Sequence, residues 1–533
     1  MKTIKLLGLI IIILLSHKGN GQTSYKYYVS LKNYTTVPDN FSKSDLLNVI
    51  NGIYNSTTLY NNVNTSVSLV RRAFKNAKTP ILKTSIYFES TNPNLAIEFN
   101  TFSNYFEQAS IIQTQYPCYT PNDFSITNNI RIDSLTSVNG VRINQYDTLY
   151  PVAQLDLIKA KQAWDITRGH PKIRVGICDW SLQQNHADLQ PSLELFIGPT
   201  KPLQFHGTSV SGCAVAKSNN SIGIASIAGE KCKFVFAEND NTYETCLLLS
   251  QQARVRVINY SFGGGFDSRF LATVNEIVDS NNVVFISAPG NGPAWASGFF
   301  GDTEYVYPGA YANAFCVTSI GCHDPVGSSK RHKGYLQNIN WRDVHLMKLS
   351  PPYSHHHNTL VDICAPGYLT FSTVDVWLQN ESNYGTSDGT SFAAPIVAGV
   401  CALVASVNPC LTAQQIRNIV QTTADASIYN IQQNQQFAGR LGTGRVDAYQ
   451  AVKRALELGT NFQQNITYNS NHVIWGATKI MAGRNVTTGT QGDVIVNGNS
   501  NVRYDANIEV ELDNGFEVKG GNFEIRIIDS PCY

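Results

Sequence analysis

Gly389-Thr390-Ser391-Phe392-Ala393-Ala394-Pro395 opens a run that continues through Ile396 to Ser406, small and apolar throughout, with Pro409 beyond its end. That pattern predicts a helix from Thr390 to Ser406 with a hydroxyl side chain at its start. Working outward from it, strand-like runs occur at KIRVGIC (172–178), KFVFAE (233–238), VRVINYS (255–261) and NVVFIS (282–287). They alternate with helix-like runs after His206, from Tyr243 to Arg254 and from Phe270 to Asn281, and two more helical runs follow at Thr412 to Thr423 and Val446 to Leu458. Strand and helix alternating at this spacing predict an α/β fold, a parallel sheet covered by helices on both faces.

Three loci in this region carry the residue types that acyl transfer needs. Asp179 closes the strand Ile173 to Cys178, where open α/β sheets place their ligands. His206 opens the small-residue helix HGTSVSG, and Ser391 opens the helix quoted above. A serine hydroxyl attacks only after an imidazole removes its proton, and the imidazole needs a carboxylate to fix its tautomer and stabilise its cation. Helix amino termini supply oriented amide hydrogens for a developing oxyanion. Singly, each locus also reads as a cap, a loop histidine or a close-packed helix start. Jointly they occur in the order Asp, His, Ser, with Asn291 of SAPGNG as a fourth polar candidate at another strand end.

These stretches resemble the subtilisin-like serine proteases, whose chain order is Asp, His, Ser. The resemblance rests on VGICDWSLQQNHADL (175–189), HGTSVSG (206–212), NNSIGIASIA (219–228), INYSFGGG (258–265), SAPGNG (287–292), YPGAY (307–311), GTSFAAPIVAGVCAL (389–403) and GTGRVDAYQAV (442–452). It implies Ser391 as nucleophile, His206 as general base and then acid, Asp179 as its orienting carboxylate, and Asn291 as side-chain oxyanion donor beside the Ser391 N–H. Ser261, Phe262, Gly263 and Gly264 would form one wall of the pocket for the residue before the scissile bond, and Ala288, Pro289 and Gly290 the other. Both walls are small and uncharged, which favours an uncharged substrate side chain. An extended peptide would add as a strand along Tyr260 to Gly264. The pattern departs from the family at Trp180 and Ser181, which follow Asp179 where Ser or Thr and then Gly are usual, and at Ile396, where a His is common. The rival to a peptidase is a catalytically silent relative that binds peptides or surfaces through the same cleft. Asp188 and the loop Asn219 to Ile224, Asn220 included, resemble a structural calcium site of some members, and the same residues also serve as plain turn formers. No catalytic metal or other cofactor is expected. His355, His356 and His357, beside Lys330 to Lys333, read as a solvated loop rather than a zinc site, since three adjacent histidines point in different directions.

Composition agrees with a globular, neutral chain. Its 533 residues favour about three domains. Forty Lys plus Arg against 39 Asp plus Glu leave a formal charge of +1, which gives nucleic acid no electrostatic purchase. Lys2 and Lys5 precede an apolar run from Leu6 to Leu15, with Gly19 and Gly21 before Gln22, the pattern of a cleaved secretory signal over 1–21. Ten apolar residues are too few for a bilayer span, and no later stretch is expected to reach that length. The 11 cysteines are an odd number in a chain whose export permits disulfides. Cys178, Cys213, Cys316, Cys364 and Cys401 lie in strand or helix runs and read as buried thiols; pairing cannot be read from spacing.

The flanks differ from the centre. Residues 22–116 mix strands (YKYYVSL, SIYFES) with helix near Ser44 to Tyr54, a small α+β segment. Its position implies, by the same resemblance, a propeptide that blocks the cleft as an intramolecular inhibitor until cleaved near Pro117 to Asn122. Residues 117–458 would be the catalytic domain, with an insertion at 128–149. Residues 459–533 read as a small all-β domain of short Gly- and Asn-punctuated strands (DVIVNG, NIEVEL, FEVKGG, FEIRII), stacked either as hairpins or as solenoid-like coils.

Overall fold

The computed structural model describes residues 25–73, 83–92, 94–111, 119–123, 137–138, 141–142, 153–199, 202–238, 243–291, 304–322, 343–344, 359–367, 370–375, 383–387 and 389–532. The secretory-signal segment, nearly all of the 128–149 insertion, Lys330 to Lys333 and His355 to His357 lie outside these residues. The chain divides into two compact units, Met1–Pro117 and Cys118–Tyr533.

The first unit is a four-stranded antiparallel sheet, with Tyr25–Leu31 between Ser85–Ser90 and Phe106–Ile111 and with Val67–Arg72 at the outer edge. Helices Lys43–Asn51 and Thr57–Ser66 lie between its first two strands in sequence, and the first begins with a Ser42/Asp45 capping box. The sheet's core is aromatic: Phe88 stacks on Tyr27 at 4.8 Å, and Phe99 meets Phe106 edge-on at 4.9 Å.

The second unit is built on seven parallel strands: β1 (Arg174–Asp179), β2 (Leu193–Ile197), β3 (Lys233–Glu238), β4 (Val257–Tyr260), β5 (Val284–Ser287), β6 (Ala314–Cys322) and β7 (Ile363–Pro366). Their spatial order is β7-β6-β5-β4-β1-β3-β2, and Asp343–Val344 pairs antiparallel at the end of β6. Strands β4, β5 and β7 are buried along their whole length, as expected where helices cover both faces. Helices α1 (Phe205–Val215) and α2 (Thr390–Val407) cross the centre. Helix α1 packs closely because it is built of small residues: a Cβ on Gly207 would lie 2.2 Å from the Ser181 carbonyl oxygen. Helix α2 is long and apolar enough to cross a membrane, contrary to the expectation that no later stretch would be, and 94% of it is buried as the core of this unit. It is apolar all round because protein surrounds it on every side.

Past helix α3 (Ala448–Leu458) the chain forms nine short strands. The first coil holds β8 (Asn461–Gln463), β9 (Ile466–Tyr468) and β10 (His472–Gly476); the second holds β11 (Lys479–Ala482), β12 (Val494–Asn497) and β13 (Asn501–Ala506); the third holds β14 (Glu509–Leu512), β15 (Phe516–Lys519) and β16 (Asn522–Ile527). Every pairing between them is parallel, in three sheets β8-β11-β14, β9-β12-β15 and β10-β13-β16. This is a three-coil solenoid; the hairpin alternative fails, because hairpins pair antiparallel. Its interior is filled by Tyr468, Ile480, Val494, Val496, Val502 and Tyr504. A disulfide joins Cys532 to Cys410 just past α2, and Asp529 meets Lys172 at 2.9 Å, so the solenoid's last residues are tied back to the sheet domain. Cys178, Cys213, Cys316, Cys364 and Cys401 are buried thiols outside any disulfide among the described residues.

Candidate active site

The carboxyl ends of β1, β4 and β5 and the amino ends of α1 and α2 converge. Asp179, the last residue of β1, is fully buried. Its Oδ1 accepts from His206 Nδ1 at 2.8 Å and from the Trp180 N–H at 2.8 Å, while its Oδ2 has no partner among the described residues. Donation from Nδ1 leaves Nε2 as the proton-accepting nitrogen of a neutral His206.

The His206 loop is tied to the β1 end by one hydroxyl: Ser181 Oγ donates to the Gln204 carbonyl at 2.9 Å and accepts the Gln204 N–H at 2.7 Å. Ser372 and Thr373 donate to the Ser209 and Thr208 carbonyls at 2.6 and 2.7 Å, holding α1 from the other side. The imidazole lies in an aromatic setting, with Phe262, Phe392 and Trp180 centroids at 5.5, 5.6 and 6.0 Å. Trp180 therefore does not displace the carboxylate. Its indole is 43% exposed and leans on Phe262 at 5.1 Å.

Ser391 stands in the first turn of α2. Pro395 lacks the N–H that would bond the Ser391 carbonyl in a regular helix. Ser261 Oγ donates to that carbonyl instead, at 2.9 Å, and is itself held by Asn259 Nδ2 at 2.9 Å. Ser391 Oγ donates to the Ser261 carbonyl at 3.3 Å and makes no hydrogen bond to His206 in this conformation. Catalytic hydrogen bonds of a free site are often long or misaligned until substrate binds.

Asn291 is fixed by α2. Its Oδ1 accepts from the Thr390 N–H at 2.9 Å and from Thr390 Oγ1 at 3.1 Å, while Nδ2 has no partner among the described residues. The helix is preceded by Gly389 at φ +138°, where a side chain would also crowd Asn291 Nδ2 at 3.0 Å. Of the pocket residues, Ser261, Ala288 and Pro289 are buried, Phe262 and Gly290 are half-buried, and Gly263 is exposed. Gly264 departs from its expected role: both its N–H and its carbonyl are paired with Tyr307, at 2.7 and 2.9 Å. The backbone that an incoming strand can use here is therefore shorter than Tyr260 to Gly264.

Asp188 is also fully buried. Its Oδ1 accepts from Asn220 Nδ2 and its Oδ2 from the Ile224 N–H, each at 2.8 Å, while Asn220 Oδ1 accepts from the Ile222 N–H at 3.1 Å. Burial raises its carboxyl to about 7 against the lowering effect of these donors, and Asp123 nearby raises it further. The cluster turns hydrogens, not oxygen lone pairs, toward the carboxylate, and in this arrangement it does not fit calcium.

The family profile described as the subtilase family, peptidase S8, matches residues 170–446, which hold all four of these catalytic candidates. The chain belongs to the subtilase family. It is similar to thermitase of Thermoactinomyces vulgaris, 28% identical over 313 residues that span 56% of this chain and 94% of thermitase. It is similar to a subtilisin of Bacillus pumilus, 29% identical over 265 residues, 47% of this chain and 83% of that protein. A solved protease of Pseudoalteromonas arctica aligns over 56% of this chain and 94% of its own at 23% identity, with a TM-score of 0.43. The protein is a subtilisin-like serine endopeptidase.

Ser181, Asn259 and Ser261 have supporting roles that sequence reasoning missed. The one available signal was Pro395, which announces a carbonyl in need of another donor four residues earlier.

Proposed function

We propose that this subtilase is a secreted endopeptidase in which Ser391, His206 and Asp179 act as the catalytic triad. The 2.8 Å contact between buried Asp179 and His206 Nδ1, at the mouth of the helix that carries Ser391, is the observation that carries this reading. Ser391 Oγ turns from the Ser261 carbonyl toward Nε2, gives up its proton and attacks the scissile carbonyl. Asn291 Nδ2 and the Ser391 N–H receive the oxyanion. His206 returns the proton to the leaving amine, and water then releases the acyl group by the same route in reverse. The substrate is an extended or unfolded segment with an uncharged side chain before the scissile bond, since the two pocket walls carry no charge. The N-terminal unit acts as propeptide and inhibitor, and the apolar run after Lys5 directs export. No step involves a metal.

A serine-directed peptidyl phosphonate tests the assignment. It should label the purified protein on Ser391, and Ser391→Ala should abolish labelling. An unlabelled wild type, or label that survives the substitution, would sink the reading.

A further inference from the structure

The third solenoid coil is left open. Its pairing with the second coil places Leu512 beside Ala482, Val518 beside Val496, Ile525 beside Tyr504 and Ile527 beside Ala506. Partners in a parallel register share a face, so these are interior positions. The second-coil members are all 0% exposed, yet Leu512, Val518, Ile525 and Ile527 are 40%, 46%, 44% and 54% exposed. Repeat stacks need a polar terminal coil to remain soluble on their own, and this one ends on its own hydrophobic interior. Ile528 to Cys532 run back to Lys172 and Cys410 rather than across it.

On the exposed face of β16 Arg526 donates to Glu524 at 2.7 Å, and the strand's alternating charge pattern selects an occupant that can share this pair. The N–H groups of Asn522 and Ile528 point inward to Ser500 and Ala506 of the second coil. By alternation, Phe523, Ile525 and Ile527 direct their backbone groups to the open edge. An antiparallel strand centred on Ile525 would use all three. It would set Glu524 opposite the partner's Arg526, Arg526 opposite the partner's Glu524, and Phe523 opposite the partner's Ile527. Registers centred one residue away place Glu524 on Glu524 or Arg526 on Arg526, which like-charge repulsion disfavours. The strand is therefore self-complementary in one register only, and that register closes both open interiors.

We propose that β16 is the interface of a two-fold, end-to-end dimer of this chain. Sedimentation equilibrium of the full chain across micromolar concentrations tests it. Wild type should show reversible dimerisation. Glu524→Arg and Arg526→Glu should each weaken self-association by at least about tenfold, from two like-charge pairs in the interface. An equimolar mixture of the two variants, and the double variant carrying both changes, should each restore dimerisation. Circular dichroism should be unchanged throughout, since both side chains are exposed. A wild type that stays monomeric overturns the proposal and leaves the open coil to a different partner. Single variants that dimerise as well as wild type, or a double variant that does not recover, overturn it equally.

Discussion

Asp179 and Asp188 lie on either side of one turn, and both are fully buried. One faces an imidazole and keeps one oxygen unpartnered among the described residues; the other is held by Asn220 Nδ2, the Ile224 N–H and the Tyr384 hydroxyl. Burial alone therefore does not mark a working carboxylate. What separates the two is the partner: His206 can change its charge during a reaction, whereas amides cannot, and burial raises the Tyr384 phenol far above its ordinary value. If His206 acts as the base, the proton it gains is stabilised by the carboxylate beside it, which is the role proposed for Asp179.

The largest effect expected from breaking this difference is in Asp179→Asn. The carboxamide fits the space, but it favours the wrong imidazole tautomer, and kcat should fall about 10⁴-fold. Asp188→Asn should leave kcat/KM within about threefold. Comparable losses from the two would mean that both carboxylates serve one structural purpose. Next in size, Asn291→Ala should lower kcat by about 10² to 10³-fold, roughly 3 to 4 kcal/mol, with KM little changed. Steady-state kinetics on a chromogenic peptide separates these outcomes, and unchanged turnover in Asn291→Ala would remove it from the oxyanion site.

Much of this site could be read from the chain, because subtilase chemistry is concentrated in short motifs. Asp179, His206, Asn291 and Ser391 each sit at the end of a strand or the start of a helix, and those boundaries carry local signals in apolar runs, small residues and Pro395. The supports were not readable. Ser181 and Ser261 act through backbone carbonyls far away in sequence, which no spacing encodes. Trp180 departs from the family pattern in sequence, but a backbone N–H is indifferent to the side chain it belongs to, and the Trp180 N–H bonds Asp179 at 2.8 Å. The solenoid shows the same limit at the scale of a fold. Its strands and turns were visible, but parallel coils pair across long intervals, so hairpins and coils look alike in local pattern. The bridge between Cys410 and Cys532, 122 residues apart, was equally out of reach.

A smaller effect, on stability, should follow from Asp188. In the folded protein burial holds its proton up to about 7, whereas in the unfolded chain the proton leaves near the ordinary 3.8. Between those values the folded state binds more protons, so this group's contribution is complete below about pH 4 and is lost as pH rises through about 7. The loss is at most a few kcal/mol, since each pH unit between the two values is worth about 1.4 kcal/mol. Asp188→Asn has no proton to release, so from pH 5 to pH 8 the wild type should lose thermal stability relative to the variant. Parallel Tm curves for the two would show that Asp188 is already ionised at pH 5.

The smallest effect expected is that of calcium. Hard cations take several oxygen ligands, but Asn220 directs its nitrogen at Asp188 and uses its oxygen on the Ile222 N–H. To present that oxygen the side chain would have to turn and give up both bonds, which opposes binding. A ligand stabilises the folded state by RT ln(1 + [L]/Kd), so weak binding at millimolar calcium adds only a fraction of a kcal/mol. Tm in millimolar calcium and in EDTA should then agree to within about 1 °C. A rise of several degrees with calcium would mean that the loop rearranges around the ion, and the contrast between the two carboxylates would become one between a proton-relay group and a metal ligand.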